Sequence, residues 1–497
     1  MAATHVLAID QGTTGSTAVV LDAAGAPVAR AYSEFTQHYP RPGWVEHDAD
    51  EIWRVTLAVA RDALAQSGVP AAAVAAIGLT NQRETTVLWD RATGRPVAPA
   101  IVWQDRRTAD FCERLRQEGR EALVRARTGL LLDPYFSATK LRWLLDRDSA
   151  LRLPARDGRL AFGTIDSWLL WNLTGGKVHA TDPSNASRTL LFNLAGCAWD
   201  PGLLDLFGIP AALLPEVRPS SGDFGLTDPA LFGAAIPVRG IAGDQQAALF
   251  GQRCHRPGMA KCTYGTGAFA LVHAGTKPPV PGDGTVATVA WQIGRQPVEY
   301  ALEGSVFICG AAVQWLRDGL GLVATAAETE ALARSVDSSD GVVFVPALSG
   351  LGAPDWDPQA RGLIIGLTRG TSRAHLVRAA LEGMAFQVRD VIDAMVATSG
   401  VPLELLRADG GAAANTFLMQ FQADLLGVPI EVPRSVEATA LGAGLLAGIA
   451  AGVYPEGGPP VTSDPSARYQ PVMPPETRSA LHARWRDAVS RSRHWAL

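Results

Sequence analysis

The sequence predicts an α/β protein in which two copies of one unit face each other across a cleft. Three observations support this. The chain has 497 residues, beyond the roughly 250–300 at which a single hydrophobic core stops growing, so two or three domains are expected. Each half runs from short apolar strands into a long helical segment and back to a strand. A glycine/threonine turn between two apolar runs occurs in both halves, at Asp10 to Gly15 (DQGTTG) and at Tyr264 to Gly267 (YGTG). Two such hairpins on two lobes suggest a duplicated fold closing on one ligand.

In chain order, HVLAID, TAVVLD and PVARAYSEF read as three strands joined by the turn signals QGTTG and AAGA, an antiparallel meander. DEIWRVTLAVARDALAQSG then puts Ile52, Val55, Val59 and Leu64 near one helical face and stops at Gly68. VAAIGLT follows as a buried strand. GIAGDQQAALFG reads as a lobe-joining element with a turn-like QRCHRPG behind it, which sets the boundary near residue 250 and gives domains 1–250 and 251–497. Late in the chain, VVFVPAL and RGLIIGLT read as strands, RAHLVRAALEGMAFQVRDVIDAMVATSG as a long helix, LELLRADGG as a strand, and a further helix starts at Asn415. ATALGAGLLAGIAAGVY, from Ala438, is too short and too rich in small residues for a membrane span and reads as a tightly packed core helix.

Lys+Arg number 44 against 49 Asp+Glu, a net charge of -5, which offers no electrostatic case for nucleic acid or a membrane surface. The five cysteines (Cys112, Cys197, Cys254, Cys262, Cys309) include no C-x-x-C pair, so neither a disulfide framework nor a zinc knuckle is expected. They read as small buried thiols in a reducing cytosol. Residues 1–10 lack the features of a signal peptide, so the expectation is a cytoplasmic protein with no leader removed.

A bound phosphate needs backbone N–H donors that can approach closely, which glycine permits, and Thr and Ser add hydroxyl donors. QGTTGS supplies both. A P-loop would need G-x-x-x-x-G-K-[ST] between a strand and a helix, whereas here the lysine is missing and TAVVLD is β-branched. What remains is a hairpin whose turn faces phosphates, with Asp10 at a strand end where it could hold Mg²⁺ through water. In isolation such a turn is more often only a turn; the second copy, and Asp409-Gly410-Gly411 after a third apolar run, favour the functional reading.

Three glycine-rich turns at strand ends resemble the ribonuclease H-like lobes of actin-like ATPases, with two phosphate hairpins and an adenosine loop. The remaining motifs narrow this. PGWVEHD (42–48), TNQRETTVLWD (80–90), IVWQDRRT (101–108), DPYFSATKLRWLL (133–145), NASRTLLFN (185–193), GIAGDQQAALFGQ (240–252), TYGTGAF (263–269) and GLGAPDWDP (350–358) resemble, in order, segments of the FGGY carbohydrate kinases, in particular the branch that phosphorylates glycerol. The two family signatures fall at Tyr135 to Arg147 and Gly362 to Glu382. The first ends in Arg147 where a polar uncharged, acidic or His residue is usual.

The resemblance implies ATP and Mg²⁺ as cofactors, glycerol as substrate and a homo-oligomer, dimer or tetramer, in the cytoplasm. It places Arg83, Glu84, Tyr135 and Gln245 on the glycerol hydroxyls, with Trp103 and Phe269 as the apolar wall. This suits a polyol, whose specific pocket should combine donors and acceptors in a fixed fork with an apolar side. Asp244 becomes the general base for the attacking hydroxyl, although an Asp after Gly243 in this sequence could equally cap a helix. Thr13, Thr14, Gly15 and Thr266 are implied on the triphosphate, and Gly310, Gln314, Gly411 and Asn415 around ADP. Thr17 also faces the nucleotide, but the family usually has Arg there; losing a charge-assisted bond costs about 1.5–3 kcal/mol unless another cation compensates. The alternatives are a kinase for a pentulose or related sugar and, from another class, an actin-like ATPase serving a protein partner. The latter leaves the substrate motifs unexplained.

Overall fold

The computed structural model describes residues 3–280, 282, 284–434, 437–459 and 465–496. The meander is present. β1 (His5–Gln11), β2 (Gly15–Leu21) and β3 (Pro27–Glu34) pair antiparallel. β4 (Val74–Asn81) runs parallel to β1, and β5 (Val238–Gly243) parallel to β4, giving the order β5-β4-β1-β2-β3. Between β3 and β4 lies α1 (Ala49–Ser67). Asp48 caps its start by accepting from the N–H groups of Asp50 and Glu51, and Gly68 ends it at φ 67°, a conformation that costs glycine little. Ile52, Val59 and Leu64 are buried as the spacing predicts, and Val55 is half-buried. β5 runs directly into α2 (Asp244–Gly251).

The second sheet contains β6 (Met259–Tyr264), β7 (Ala268–Gly275), β8 (Val286–Trp291), β9 (Glu299–Val306), β10 (Leu405–Asp409), β11 (Ile430–Val432) and β12 (Ala467–Tyr469), in the order β8-β9-β7-β6-β10-β11-β12. Its five central strands, β11-β10-β6-β7-β9, repeat β5-β4-β1-β2-β3 strand for strand and direction for direction. The helices repeat too: α3 (Arg373–Ser399) lies between β9 and β10 as α1 lies between β3 and β4, while α4 (Thr416–Leu426) precedes β11 and α5 (Ala438–Ala450) follows it.

The duplicated unit differs from the sequence reading in one respect. Val343–Val345 and Leu363–Ile365 are strands, but they pair with each other as a separate two-stranded ribbon. The counterpart of β3 in the repeat is β9, which pairs directly with β7 although the inserted edge strand β8 comes between them in the chain. Each ribbon strand is three residues long, and Pro346 after the first lacks the N–H a longer ladder would need.

α5 closes the joint between the lobes. It follows a strand of the second sheet, yet it lies on β1, β4 and β5 of the first and along α2. Small residues permit the approach: a Cβ on Gly442 would fall 1.8 Å from the Ala247 carbonyl oxygen, one on Gly251 2.0 Å from that of Ala438, and one on Gly78 2.2 Å from that of Ala443. The expected core helix is therefore present, and its glycines are places where backbone meets backbone. No helix of the described residues is long and apolar enough to cross a membrane. All five cysteines are free, with Cys197 half-buried and the others buried.

Candidate active site

In an open α/β sheet the parallel strands deliver their C-terminal ends to one edge, where ligands bind. In the first lobe those ends carry Asp10 (β1), Arg83 and Glu84 (two to three residues beyond β4) and Asp244 (the first residue after β5). In the second lobe β6 leads into Thr266 and β10 into Gly410 and Gly411. Asp244 is not the N-cap of α2. Gly243 holds that position, and the Asp244 carboxylate accepts from the N–H of Gln245 at 2.7 Å.

Arg83 organises the floor of the cleft. Its Nε lies 3.0 Å from Asp244 Oδ1, and Nη1 and Nη2 donate to Glu303 of β9 at 2.5 and 3.1 Å. Arg188 donates from Nε to Glu84 at 2.6 Å and from Nη2 to Glu303 at 3.0 Å. Two arginines of the first lobe thus converge on one carboxylate of the second, and Arg188 links it to Glu84. Burial alone would raise the Glu303 pKa, but the guanidiniums of Arg188 and Arg83 outweigh it and hold it at about 2. Glu84 sits at φ 62°, a strained position for a residue with a Cβ. The Ser137 hydroxyl, donating to its carbonyl at 2.9 Å, and the Arg188 pair hold it there. Burial raises the pKa of Asp244, with the Arg83 charge acting against it.

Trp103 and Tyr135 come from the long segment inserted between β4 and β5, and their rings meet edge to face with centroids 5.4 Å apart. The ammonium of Lys140, one turn into the helix Ser137–Arg147, donates to the carbonyls of Pro134, Tyr135 and Phe136 and so fixes the Tyr135 turn. Arg147, the unusual residue of the first signature, ends this helix with its guanidinium 5.0 Å from the Trp143 ring, a favourable place for a cation. Phe269 pairs in register with Thr263 and Ser305, which puts it on the same face of the second sheet as Lys261 and Glu303. Gln245 faces the second lobe as well, accepting from the Lys261 ammonium.

The first hairpin is braced from behind. Gln37 donates to the Thr13 carbonyl at 3.0 Å and its own oxygen is bonded to His47 at 2.7 Å. Burial, helped by His38, pushes His47 down to about 4, so it is neutral at ordinary pH. From the other side the Trp103 indole donates to the Thr13 hydroxyl at 3.0 Å. Thr14, at the tip, is exposed. Thr17 is cross-strand from Asp10 and buried.

The second hairpin is held by the helix Gly310–Gln314, whose Gly310 N–H donates to Gly265 at 2.9 Å and whose Ala311 N–H donates to Thr266 at 3.0 Å. A Cβ on Gly310 would lie 2.6 Å from the Gly265 carbonyl oxygen, whereas one on Gly411 would meet nothing within 4 Å. Gly310 therefore has a packing reason and Gly411 faces open space. Gln314, one turn further along, is exposed. Asn415 caps α4 through Leu418 N–H and donates to Thr329.

The structure thus joins Arg83, Glu84, Asp244 and Gln245 through direct contacts and ties Trp103 to both Tyr135 and Thr13. Glu303, Arg188 and Lys261, which complete the floor, were not singled out in the sequence. Glu303 is the one charge in EYALEGSV beyond its first residue, a signal of an inward-facing carboxylate, but its arginine partners lie 115 and 220 residues away in sequence.

Two duplicated lobes with a glycine/threonine hairpin on each and carboxylates at the strand ends between them define the actin-like ATPase fold. Within it the chain belongs to the FGGY family of carbohydrate kinases: residues 5–251 match the family's N-terminal domain and residues 260–451 its C-terminal domain. It is 57% identical over 491 residues to a glycerol kinase of Geobacter sp. (strain M21) and 58% identical over 491 residues to a glycerol kinase of Thermus brockianus, each match covering 99% of both chains. Its structure is similar to that of Plasmodium falciparum glycerol kinase with ADP, with a TM-score of 0.93, 34% identity and 98% of each chain covered.

Proposed function

We propose that this kinase transfers the γ-phosphoryl group of ATP to a terminal hydroxyl of glycerol, giving sn-glycerol 3-phosphate. The observation that carries the reading is the Arg83–Asp244 pair at the strand ends, 3.0 Å apart and flanked by Glu84, Gln245, Tyr135 and Trp103. Arg83 and Glu84 offer a donor and an acceptor to adjacent hydroxyls, and Trp103, Tyr135 and Phe269 cover the carbon chain. Asp244 accepts the proton of the attacking hydroxyl. Its burial, partly offset by Arg83, keeps its basicity above that of an exposed carboxylate. Thr13, Thr14, Gly15 and Thr266 grip the triphosphate from two sides, and Gly310, Gln314, Gly411 and Asn415 surround the base and ribose.

Mg²⁺ fits this donor set. Burial, and then the carboxylates of Asp244 and Glu437, push Asp10 up to about 8, a crowding of negative charge that a hard cation relieves. Such an ion keeps several waters and substrate phosphates as ligands and needs few carboxylates from the protein. When bound, Mg²⁺ would neutralise phosphate charge as the bond to the leaving group lengthens. Asp10 would hold it.

The names of the relatives at 57% and 58% identity favour glycerol over a pentulose. The test is direct: purified protein with ATP, Mg²⁺ and glycerol should yield sn-glycerol 3-phosphate in an enantiospecific assay, with slow ATP hydrolysis when glycerol is left out. Turnover of a pentulose without turnover of glycerol would overturn the assignment.

A further inference from the structure

Residue 17 faces the phosphate side of the first hairpin and is a threonine, so any cation at this corner comes from elsewhere. Register identifies the candidates. Thr17 pairs directly with Asp10 on β1 and with Tyr32 on β3, which puts all three side chains on one face of the sheet. Arg30, two residues before Tyr32 and opposite Val19, shares that face.

Tyr32 reaches the hairpin itself. A Cβ built on Gly15 would lie 2.7 Å from the Tyr32 hydroxyl and 2.7 Å from its ring, so the phenol occupies the space that glycine leaves at the turn. The side chain is 47% exposed, and among the described residues its hydroxyl has one bond, a long one of 3.4 Å, to Glu34. The Arg30 guanidinium stands 5.7 Å from the Tyr32 ring centroid, and its Nε donates to Glu437 at 2.6 Å. Glu437 is the residue before α5. A phenol donor therefore flanks the turn, with the Arg30 guanidinium beside its ring and paired to Glu437, on the face that Asp10 occupies.

We infer that Tyr32 and Arg30 of β3 are nucleotide-binding residues: the Tyr32 hydroxyl donates to a phosphate oxygen of ATP at the Thr14–Gly15 turn, and Arg30 supplies the positive charge. The inference rests on the first hairpin being a phosphate grip, as proposed above. Anion binding is weakened when a charge-assisted bond is lost and weakened less when a neutral one is lost. Glycerol is held from the Arg83 side of the cleft and does not share these donors.

Steady-state kinetics with separately varied ATP and glycerol tests it. Tyr32→Phe should raise the KM for ATP about fivefold and Arg30→Gln about tenfold or more, with the KM for glycerol within about twofold. Adding Thr17→Arg to Tyr32→Phe should bring the KM for ATP back down, because a guanidinium at 17 would enter the same corner; failure of that rescue would show that 17 and 32 do not serve one phosphate. Thr13→Ala is the control on the hairpin. If it raises the KM for ATP while Tyr32→Phe and Arg30→Gln do not, the inference is wrong and the phosphate grip stands. If none of the three moves it, both fall.

Discussion

Arg83 Nε is 3.0 Å from Asp244 Oδ1, and the same guanidinium grips Glu303 of the opposite lobe with its two remaining nitrogens. The proposed base is therefore aimed by a residue that is anchored independently of it. Replacing Asp244 by Asn should leave Arg83 seated on Glu303. The expected result is a fall in kcat of about 10²–10⁴ or more, with glycerol and ADP affinities changed only severalfold and an unfolding temperature close to wild type. Isothermal titration beside a kinase assay checks this, and retained turnover would remove Asp244 as the base.

Glu303 bears on stability and binding together. Glu303→Gln leaves Arg83 and Arg188 buried around a neutral amide, and breaking a buried pair commonly costs about 3–5 kcal/mol. Because Glu84 and Asp244 still face these arginines, the lower end is expected, with a raised KM for glycerol as Arg83 loses its anchor. The sign with pH follows from the depressed pKa: Glu303 stabilises fully above its unfolded value near 4.5 and loses this as pH falls toward about 2. Urea unfolding at pH 7 and pH 4 should show the variant's deficit shrinking at the lower pH; a constant deficit would mean that the carboxylate charge is not what matters.

Much of this architecture is legible in the residues, and the rest is hidden for definable reasons. The meander, α1 with Gly68, the second hairpin, α4 with its Asn415 cap and the glycine-rich α5 all follow from local signals, period and capping. β9 does not, because the edge strand β8 comes between it and its pairing partner β7 in the chain. The same limit applies to the site. Asp244 and Arg83 stand in motifs, but the Glu303 that joins them is 220 residues from Arg83, and pattern within a window cannot report a contact of that range.

Trp103 connects the proposed glycerol site with the first hairpin. Its ring meets Tyr135 at 5.4 Å while its indole N–H donates to the Thr13 hydroxyl at 3.0 Å. Trp103→Phe keeps an aromatic wall but deletes that bond, worth about 1 kcal/mol. The KM for ATP should therefore rise by about fivefold, with the KM for glycerol changed less. An effect on glycerol alone would show that the indole bond to Thr13 carries no part of nucleotide binding.

The lobe joint makes a separate prediction. Gly442 of α5 allows Ala247 of α2 so close that an added Cβ would sit 1.8 Å from its carbonyl oxygen, and that atom is backbone. Gly442→Ala must push the helices apart, and overpacking of this kind costs about 1–3 kcal/mol or more. A helical glycine on an open face would instead gain about 1 kcal/mol from the change to alanine. Thermal unfolding distinguishes the two by sign; a stabilised variant would mean that the joint is looser than the structure has it.

Asp10 sets function against stability. Burial and the carboxylates of Asp244 and Glu437 raise its pKa from 3.8 to about 8 in the folded protein. Between those values the folded chain binds a proton that the unfolded chain does not, so this contribution to stability is complete below about pH 4 and disappears as pH rises through 8. In nucleotide-free protein with chelator present, raising the pH from 7 to 9 should lower the unfolding temperature, and Asp10→Asn should flatten that slope and raise the value at pH 9 by about 3 °C or more. The same substitution should abolish phosphoryl transfer, since a neutral amide cannot replace the carboxylate proposed to hold the cation. An Asp10→Asn protein with the wild-type pH slope would show that the crowding lies elsewhere, and one that retained turnover would separate Asp10 from Mg²⁺ altogether.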